Sequence, residues 1–263
     1  GYMFVTTTTQ VWKQLFDEGE LNEAQSHFWK TKPPEELYDL EKDPDEVNNL
    51  AKSKDHAEVL KKMRQAHLNH LKTIVDVGFL PEGEIHERSK GTTPYEMARS
   101  DKYPFQRIML AADMASGLSP WATKPLIGYL KDKDSAVRYW GAMGLLMRAK
   151  QGVKVAGKQL ENALKDDSAY VRVIAAEALG KYGSKEQINK AVETLGKIAD
   201  PVKNGCFPSM LAMNAIDHLD DKAQSLLPKI QSMPRTPNEV DKRFQGYFGR
   251  LVDTTVKDLT REN

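Results

Sequence analysis

An internal repeat of 34 residues constrains the fold of this chain more than any other sequence feature. Residues 125–146 read PLIGYLKDKDSAVRYWGAMGLL, and residues 159–180 read QLENALKDDSAYVRVIAAEALG. When the first segment is shifted by 34 positions, three leucines, the Lys-Asp turn and the Val-Arg pair coincide with those of the second. The matched positions include Asp132, Val137, Arg138, Asp166, Val171 and Arg172. Such a period predicts stacked units, because a single unit cannot bury its apolar face alone.

Each copy of the repeat reads as a helix, a short polar turn and a second helix. In the second copy, Val171, Ile174 and Leu179 share one face of a helix, and Asp and Ser in the turn are suited to cap that helix. Weaker copies flank these two, at 103–116, 184–199, 208–219, 221–232 and 238–259. The chain is therefore predicted to be mainly all-α, with an α–α superhelix over 103–263.

The first hundred residues are polar and irregular, and they predict a different organisation. Helices are expected near 9–19, 22–29 and 55–75. The alternating LYDL string predicts a short strand over 36–40. Residues 1–75 would thus form a small mixed segment with one or two short strands. Residues 76–102 mix Pro, Gly and Ser with charges, so we interpret them as a connecting segment.

Charge and cysteine content exclude several classes of protein. The 38 basic and 37 acidic residues give a formal net charge of +1, without the positive excess expected of a nucleic-acid-binding protein. No apolar run approaches the roughly 18 residues of a membrane span. Cys206 is the only cysteine, which leaves no internal disulfide and no thiolate metal site. The chain begins GYMFVTTTTQ without an initiator Met, and we expect it to be a piece of a longer protein.

The most specific motif outside the repeats is EELYDLEKDPDEVNNLA, residues 35–51. It resembles the C-terminal signature of the sulfatase family, in which ELYDL is a strand, DP is its turn and NLA leads into a helix. The signature positions are Leu37, Tyr38, Asp39, Leu40, Asp43, Pro44, Asn49 and Leu50. Residues 8–33 resemble the lead-in found in sulfamidase-like (heparan N-sulfatase-like) bacterial sulfatases, some of which carry a helical-repeat tail.

The repeat string itself resembles the short HEAT-like repeats. A period of 34 residues is also that of the tetratricopeptide repeat, but the Trp-Leu-Gly-Tyr pattern of that family does not occur in register here. In HEAT-like repeats the Asp and Arg bond between neighbouring units. We expect Asp132 or Asp134 with Arg138, and Asp166 or Asp167 with Arg172, to play those parts.

The sulfatase resemblance implies a parent enzyme that hydrolyses sulfate esters or N-sulfates of glycans. Such enzymes use a formylglycine and a calcium ion and are commonly exported, and their catalytic and metal residues precede the ELYDL string. Only about 35 residues precede it here, so we transfer no catalytic, cofactor or metal residue and expect no enzyme activity from this chain. The expected partners are the absent catalytic domain, another protein or a glycan, and homo-oligomers are possible. If residues 1–29 normally pack on the absent catalytic domain, Trp12, Phe16, Phe28 and Trp29 would be exposed here or buried in a dimer.

The string Cys206-Phe207-Pro208-Ser209-Met210 differs from the sulfatase active-site motif C-x-P-S-R only at its last residue. The motif needs an arginine at that place to stabilise the modified cysteine. Pro208 is also suited to the first turn of a helix. We therefore interpret Cys206 as a packed structural thiol.

Two other interpretations stay open. The first is a free-standing helical-repeat scaffold that binds a protein along its concave face, for which the ELYDL string is chance. The second is a metal-binding helical domain that uses His56, His67 and His70, since two of these lie three residues apart on one predicted helix. The lysines and arginine on that helix favour a solvated face instead.

Overall fold

A computed structural model describes residues 2–260, and these residues form helices and connecting loops without a strand. The predicted all-α class is therefore confirmed. The chain divides into two compact units, an N-terminal unit of Gly1–Thr73 and a C-terminal unit of Ile74–Asn263. No helix of the described part has both the length and the apolar character needed to cross a membrane.

The helices are short in the N-terminal unit and follow one another closely in the C-terminal unit. The α-helices of residues 2–260 are α1 Thr7–Asp17, α2 Glu23–Ser26, α3 Ala57–Ile74, α4 Glu82–Arg88, α5 Pro94–Ala98, α6 Phe105–Ser116, α7 Thr123–Tyr129, α8 Ser135–Met147, α9 Ala149–Ala163, α10 Ala169–Tyr182, α11 Lys185–Ile198, α12 Pro201–Asn204, α13 Cys206–Asp217, α14 Leu227–Gln231 and α15 Lys242–Leu259. The 3-10 helices are Tyr2–Val5, His27–Trp29, Lys54–His56, Pro120–Ala122 and Asp220–Leu226.

The aromatic residues of the N-terminal unit pack on one another. The Trp12 ring stacks on Phe28 at a centroid distance of 5.0 Å and meets Trp29 edge-on at 5.1 Å. Phe16 lies 6.3 Å from Trp29. Phe28 remains 44% exposed, whereas Trp12, Phe16 and Trp29 are half-buried. This cluster lies partly at the surface, as an aromatic patch rather than a sealed core.

The predicted strand over 36–40 is wrong. The Leu37 N–H donates to the side-chain oxygen of Asn49 at 3.0 Å, and its carbonyl accepts from the Leu50 N–H at 2.7 Å. Both backbone groups of Leu37 are thus taken by a loop twelve or thirteen residues further along. A strand needs a ladder of such bonds to a neighbouring strand, and no strand lies within residues 2–260 to supply it. The segment is therefore an extended arm held by a side chain.

The C-terminal unit stacks its helices in two rows. One row is α6, α8, α10, α13 and α15, in which each helix packs against the next. The helices α7, α9 and α11 lie against this row. The two matched copies of the repeat occupy α7–α8 and α9–α10. Leu126, Leu145, Leu160 and Leu179 have no exposed surface, so the leucines that define the period are the residues that fill the core.

Candidate functional site

Two arginines of the C-terminal unit bind aspartates in a later turn. Arg107 of α6 binds Asp132 between α7 and α8, and Arg138 of α8 binds Asp166 between α9 and α10. Arg138 donates through Nε and Nη2 to the two carboxylate oxygens of Asp166, each at 2.7 Å, and Arg107 Nη2 donates to Asp132 Oδ1 at 2.6 Å. Arg138 also reaches the Asp132 carbonyl at 3.0 Å, and Arg172 reaches the Asp166 carbonyl at 2.6 Å. The carboxylate partner of Arg138 is thus Asp166 of the next helix pair, and its contact with Asp132 is to the backbone. Bidentate pairs of this kind fix geometry as well as adding energy.

The two valines of the repeat pattern lie directly behind these pairs. Val137 and Val171 have no exposed surface. Each precedes its arginine by one residue, so the valine anchors the helix in the core while the arginine reaches the turn. The pair Val137-Arg138 therefore combines a core contact with a contact to the next turn, whereas Arg172 donates to the carbonyls of Asp166 and Asp167 in its own turn.

A buried ion-pair network holds α4 on the first turns of α8 and α10. Arg88 Nη2 donates to Glu84 Oε2 at 2.6 Å and to Asp134 Oδ1 at 3.0 Å, and Arg88 Nη1 donates to Asp134 Oδ2 at 3.0 Å. The Ser168 hydroxyl lies 3.4 Å from the other oxygen of Glu84. Glu84 is only 3% exposed. One arginine therefore compensates two carboxylates that water hardly reaches.

These charges persist despite burial. Burial by itself raises the pKa of Asp134, yet the hydrogen bond and charge of Arg88 outweigh it and hold this pKa below its ordinary value. Burial likewise disfavours the charge of Arg88, but the hydrogen bonds and charges of Asp134 and Glu84 more than offset it and raise the arginine's pKa. Arg88 and Asp134 are thus charged at neutral pH and hold α4 against the start of α8.

A groove of about 500 Å³ lies beside this network. Its lining includes Arg88, Arg138, Ser168 and Tyr170. Both arginines already donate to carboxylates in two-point contacts. Burial, followed by the charge of Glu87, raises the pKa of Tyr170, so its phenol stays protonated. The groove is therefore lined by arginines that are already paired and by a protonated phenol.

Cys206 is the first residue of α13. Its thiol is half-buried and lies 3.5 Å from the Met210 sulfur. Burial raises the pKa of the thiol, and the nearby charges of Glu82 and Asp241 add to that effect. A raised pKa opposes the thiolate form that a nucleophile requires. The geometry around Cys206 is that of a packed helix start.

Of the three histidines considered as metal ligands, His56 ends the 3-10 helix before α3, and His67 and His70 lie in the second half of α3. The His56 ring nitrogen Nδ1 lies 2.8 Å from the Ser53 hydroxyl, and His67 and His70 are exposed. Within residues 2–260 no group of three His, Cys, Asp or Glu side chains is arranged to hold a metal ion.

The signature segment of residues 35–51 is tied together by its own polar side chains. The Asp43 carboxylate is 8% exposed and accepts from the backbone N–H groups of Val47 at 3.1 Å and Asn48 at 2.8 Å. The side-chain oxygen of Asn49 accepts from the Ala51 N–H at 2.9 Å as well as from the LYDL string. Asp and Asn at these two places are thus required by the loop itself.

The other signature positions lie at the surface of the same loop. Tyr38, Asp39 and Leu50 are half-buried, and Pro44 is exposed. Leu40 is 61% exposed, whereas Leu37, the other leucine of the LYDL string, is buried. The segment therefore carries an apolar side chain that is mostly exposed to solvent.

A histidine–carboxylate pair bridges the ends of α10 and α13. His218 Nδ1 lies 2.9 Å from Glu177 Oε1, and Glu177 is 9% exposed. The hydrogen bond to Glu177 raises the pKa of His218, against a smaller opposing effect of burial. Lys181 Nζ lies 3.9 Å from the same carboxylate oxygen. The histidine is therefore a pH-dependent partner in an otherwise permanent charge cluster.

Stability at the His218–Glu177 pair should depend on pH. Because the folded pKa of His218 is raised, its contribution is fully present below the unfolded pKa of about 6.5 and disappears as pH rises through the folded value. We expect His218→Gln to cost a few tenths to about 1 kcal/mol near pH 6 and almost nothing near pH 9, since the ring is half-exposed. Urea unfolding of both proteins at the two pH values measures this difference, and an equal cost at both would contradict it.

No protein-family model matches the chain, and no curated protein does. The signature segment and the contacts of the C-terminal unit are therefore the basis for a functional assignment.

Proposed function

We propose that this chain is the non-catalytic C-terminal region of a sulfatase, with HEAT-like helical repeats that serve as a packing or interaction module. The observation that carries the proposal is the motif of residues 35–51. The parent enzyme would hydrolyse sulfate esters or N-sulfates of glycans, and its formylglycine and calcium ion would belong to a catalytic domain upstream. The bonds of Asp43 and Asn49 support one defined loop for this motif, although its ELYDL part is not the strand that the resemblance implies.

Exposed apolar side chains of the N-terminal unit support a packing partner. Leu40 is 61% exposed, Phe28 44% and Val11 48%. On α3, Val59 and Met63 are 49% and 56% exposed and lie one turn apart. Single exposed apolar residues are ordinary, whereas several within one small unit indicate an interaction surface. The catalytic domain of the parent is the partner that the motif indicates.

The HEAT-like character rests on the contacts between turns. The Arg107–Asp132 and Arg138–Asp166 bonds join successive helix pairs, and each carboxylate is bound by an arginine of the preceding pair rather than by the arginine that the sequence pattern indicated. A free-standing scaffold remains a second candidate, because these contacts and the core of the C-terminal unit are independent of the signature segment. Residues 74–263 expressed alone should then fold and bind a protein partner.

The proposal is tested first by activity and by the gene. The chain should show no turnover of an aryl sulfate, and Cys206→Ala should leave that result and the fold unchanged. The encoding reading frame should contain C-x-P-S-R or S-x-P-x-R upstream of this region. Turnover that Cys206→Ala abolishes, or a reading frame without such a motif, would overturn the proposal.

The packing surface is tested with the upstream domain supplied as a separate chain. Leu40→Asp and Met63→Asp should weaken its association with the present chain. Leu110→Asp is the matched control, because Leu110 is 47% exposed but lies on α6 of the C-terminal unit. Equal weakening by all three substitutions would contradict the assigned surface.

A further inference from the structure

Three aspartates recur at the 34-residue period of the C-terminal unit, namely Asp132, Asp166 and Asp200. Each caps the turn that it begins, because its Oδ1 accepts from the N–H group two residues later, at 2.8, 2.8 and 3.1 Å respectively. Arg107 donates to the first of them. Arg138 donates to the second through Nε and Nη2. Two of three equivalent carboxylates are therefore bound by an arginine of the preceding helix pair.

The next arginine of the series has no such carboxylate. Arg172 lies 34 residues after Arg138, and by the same spacing its partner would be Asp200. Its Nη1 donates to the carbonyls of Asp166 and Asp167, as the equivalent atom of Arg138 does in its own turn. Within residues 2–260, however, Nε and Nη2 of Arg172 have no acceptor. The guanidinium edge that holds a carboxylate in Arg138 is thus free in Arg172.

The length of the third turn explains why this pair does not form. The helix α8 begins three residues after Asp132 and α10 three residues after Asp166, whereas α13 begins six residues after Asp200. The added residues form the short helix α12 and Gly205, which has a φ of 77°. The Asp200 Oδ2 atom lies 3.7 Å from Lys203 Nζ of α12 instead. The longer turn therefore leaves one carboxylate-binding position of the repeat without its carboxylate.

Arg172 lines a groove of about 570 Å³ that α9 and α11 also border. Each of the two glutamates in the lining accepts from a lysine of α11. Within residues 2–260, the charges of this lining that have no counter-ion are those of Arg172 and the exposed Lys165. The buried Leu164 and Ile198 contribute an apolar wall. The groove thus combines a free guanidinium edge, an excess of positive charge and an apolar surface.

We propose that this groove binds an acidic peptide segment of a partner protein, with an aspartate or glutamate carboxylate on Nε and Nη2 of Arg172. The protein's own second turn is the precedent. The same two atoms of Arg138 hold the aspartate of a peptide turn, each at 2.7 Å. A planar carboxylate accepts two parallel bonds from this edge of a guanidinium, which fixes its orientation as well as adding energy.

The other anions fit the groove less well. An inorganic anion would occupy the guanidinium edge but leave the apolar wall of Leu164 and Ile198 uncovered. A nucleic acid is attracted by a large positive field, and the net charge of this chain is only +1. The site goes beyond the proposed function, because it belongs to the repeat alone and does not depend on the motif of residues 35–51.

The test is an NMR titration of the full chain at low ionic strength with a peptide of residues 163–169, acetylated and amidated at its ends. In the free protein the Arg172 Nε–H should exchange rapidly with water, whereas the bonded Nε–H of Arg138 should be protected. The peptide should shift and protect the Arg172 signal. Asp166→Asn in the peptide should weaken binding about tenfold to a hundredfold, whereas Asp167→Asn should leave it nearly unchanged.

Variants of the protein separate two-point binding from simple charge attraction. Arg172→Gln should weaken binding about tenfold to a hundredfold. Arg172→Lys keeps the charge but loses the planar fork, and it should weaken binding about tenfold. The matched control is Arg99→Gln, because Arg99 is exposed and donates to two backbone carbonyls as Arg172 does. Circular dichroism verifies that each variant folds, and the Arg172 signal of the unchanged protein needs no variant.

Saturable binding that needs Arg172 and the first aspartate of the peptide, and that survives Arg99→Gln, supports the proposal. An unchanged Arg172 signal, equal binding of the Asp166→Asn peptide or an equal loss in Arg99→Gln overturns it. Acetate or inorganic phosphate that binds as tightly as the peptide overturns the peptide assignment. An Arg172 Nε–H that is already protected in the free protein, and that Asp200→Asn releases, would show that the third pair closes in solution and would also overturn it. None of these results concerns the upstream reading frame on which the sulfatase proposal is tested.

Discussion

Replacing Arg88 with methionine should lower the free energy of unfolding by about 3–5 kcal/mol, the range found when one partner of a buried ion pair is removed. The physical reason is that Glu84 and Asp134 would stay buried with no cation between them. Glu84 is 3% exposed, and its nearest other donor is the Ser168 hydroxyl at 3.4 Å. Urea denaturation at neutral pH, followed by circular dichroism, measures the loss.

Two further variants isolate the electrostatic cause. Lys90→Met also removes one positive charge, but Lys90 is exposed and lies two residues after Arg88. This substitution should cost less than about 0.5 kcal/mol. Adding Glu84→Gln and Asp134→Asn to Arg88→Met should restore much of the stability, because the stranded charges are then neutral. A cost for Arg88→Met no greater than that of Lys90→Met would show that the network does not stabilise the fold.

The same network explains why α4 could not be predicted from the sequence. Residues 76–102 carry no apolar periodicity, and they read as a connecting segment. What orders them is long-range: Arg88 meets Asp134, 46 residues later, and the Trp140 indole donates to the Phe79 carbonyl at 2.8 Å. Only the Glu84–Arg88 spacing of four residues hinted at a helix. A local pattern cannot contain partners that far along the chain.

The repeat, by contrast, was readable because its information is local. Leu126 and Leu160 have no exposed surface, and each lies at a position that the 34-residue shift had matched. The period therefore predicted which face of each helix is buried. It did not reveal that Arg138 pairs with Asp166 rather than with the carboxylates of its own turn, since the spacing permits both.

The failed strand shows a different limit. Alternation of apolar and polar residues around Leu37 indicated a half-buried strand. The burial of Leu37 and the exposure of Leu40 reproduce that alternation only in part. Whether an extended segment becomes a strand depends on a neighbour that supplies a ladder. Here the side chain of Asn49 takes that place, and Asn in a loop gives no sequence signal for such a bond.

The turn between α8 and α9 was also invisible in the sequence. Ala149 adopts a left-handed backbone with a φ of 50°, a conformation that usually calls for Gly or Asn. The chain folds back sharply there, and the glycine comes three residues later, at Gly152. The sequence therefore has no glycine at the turn itself that would indicate the sharp bend.

Gly152→Ala should cost about 3 kcal/mol in unfolding free energy, although alanine is the better helix former. A Cβ at this position would lie 2.1 Å from the Leu145 carbonyl oxygen and 3.0 Å from its carbon. Backbone atoms cannot swing aside as a side-chain tip can, so α8 and α9 would have to separate. The separation would weaken the packing of both helices against α10. Thermal and urea unfolding of the variant measure the cost.

Gly128→Ala is the matched control, because the same substitution meets open space there. Gly128 is exposed within α7, and no atom lies within 4 Å of a Cβ built on it. Removing the backbone freedom of a helical glycine should then stabilise the protein by about 0.5–1 kcal/mol. The two identical substitutions are thus expected to change stability in opposite directions. If Gly152→Ala were neutral or stabilising like Gly128→Ala, the close approach of α9 to Leu145 would not be a constraint on the fold.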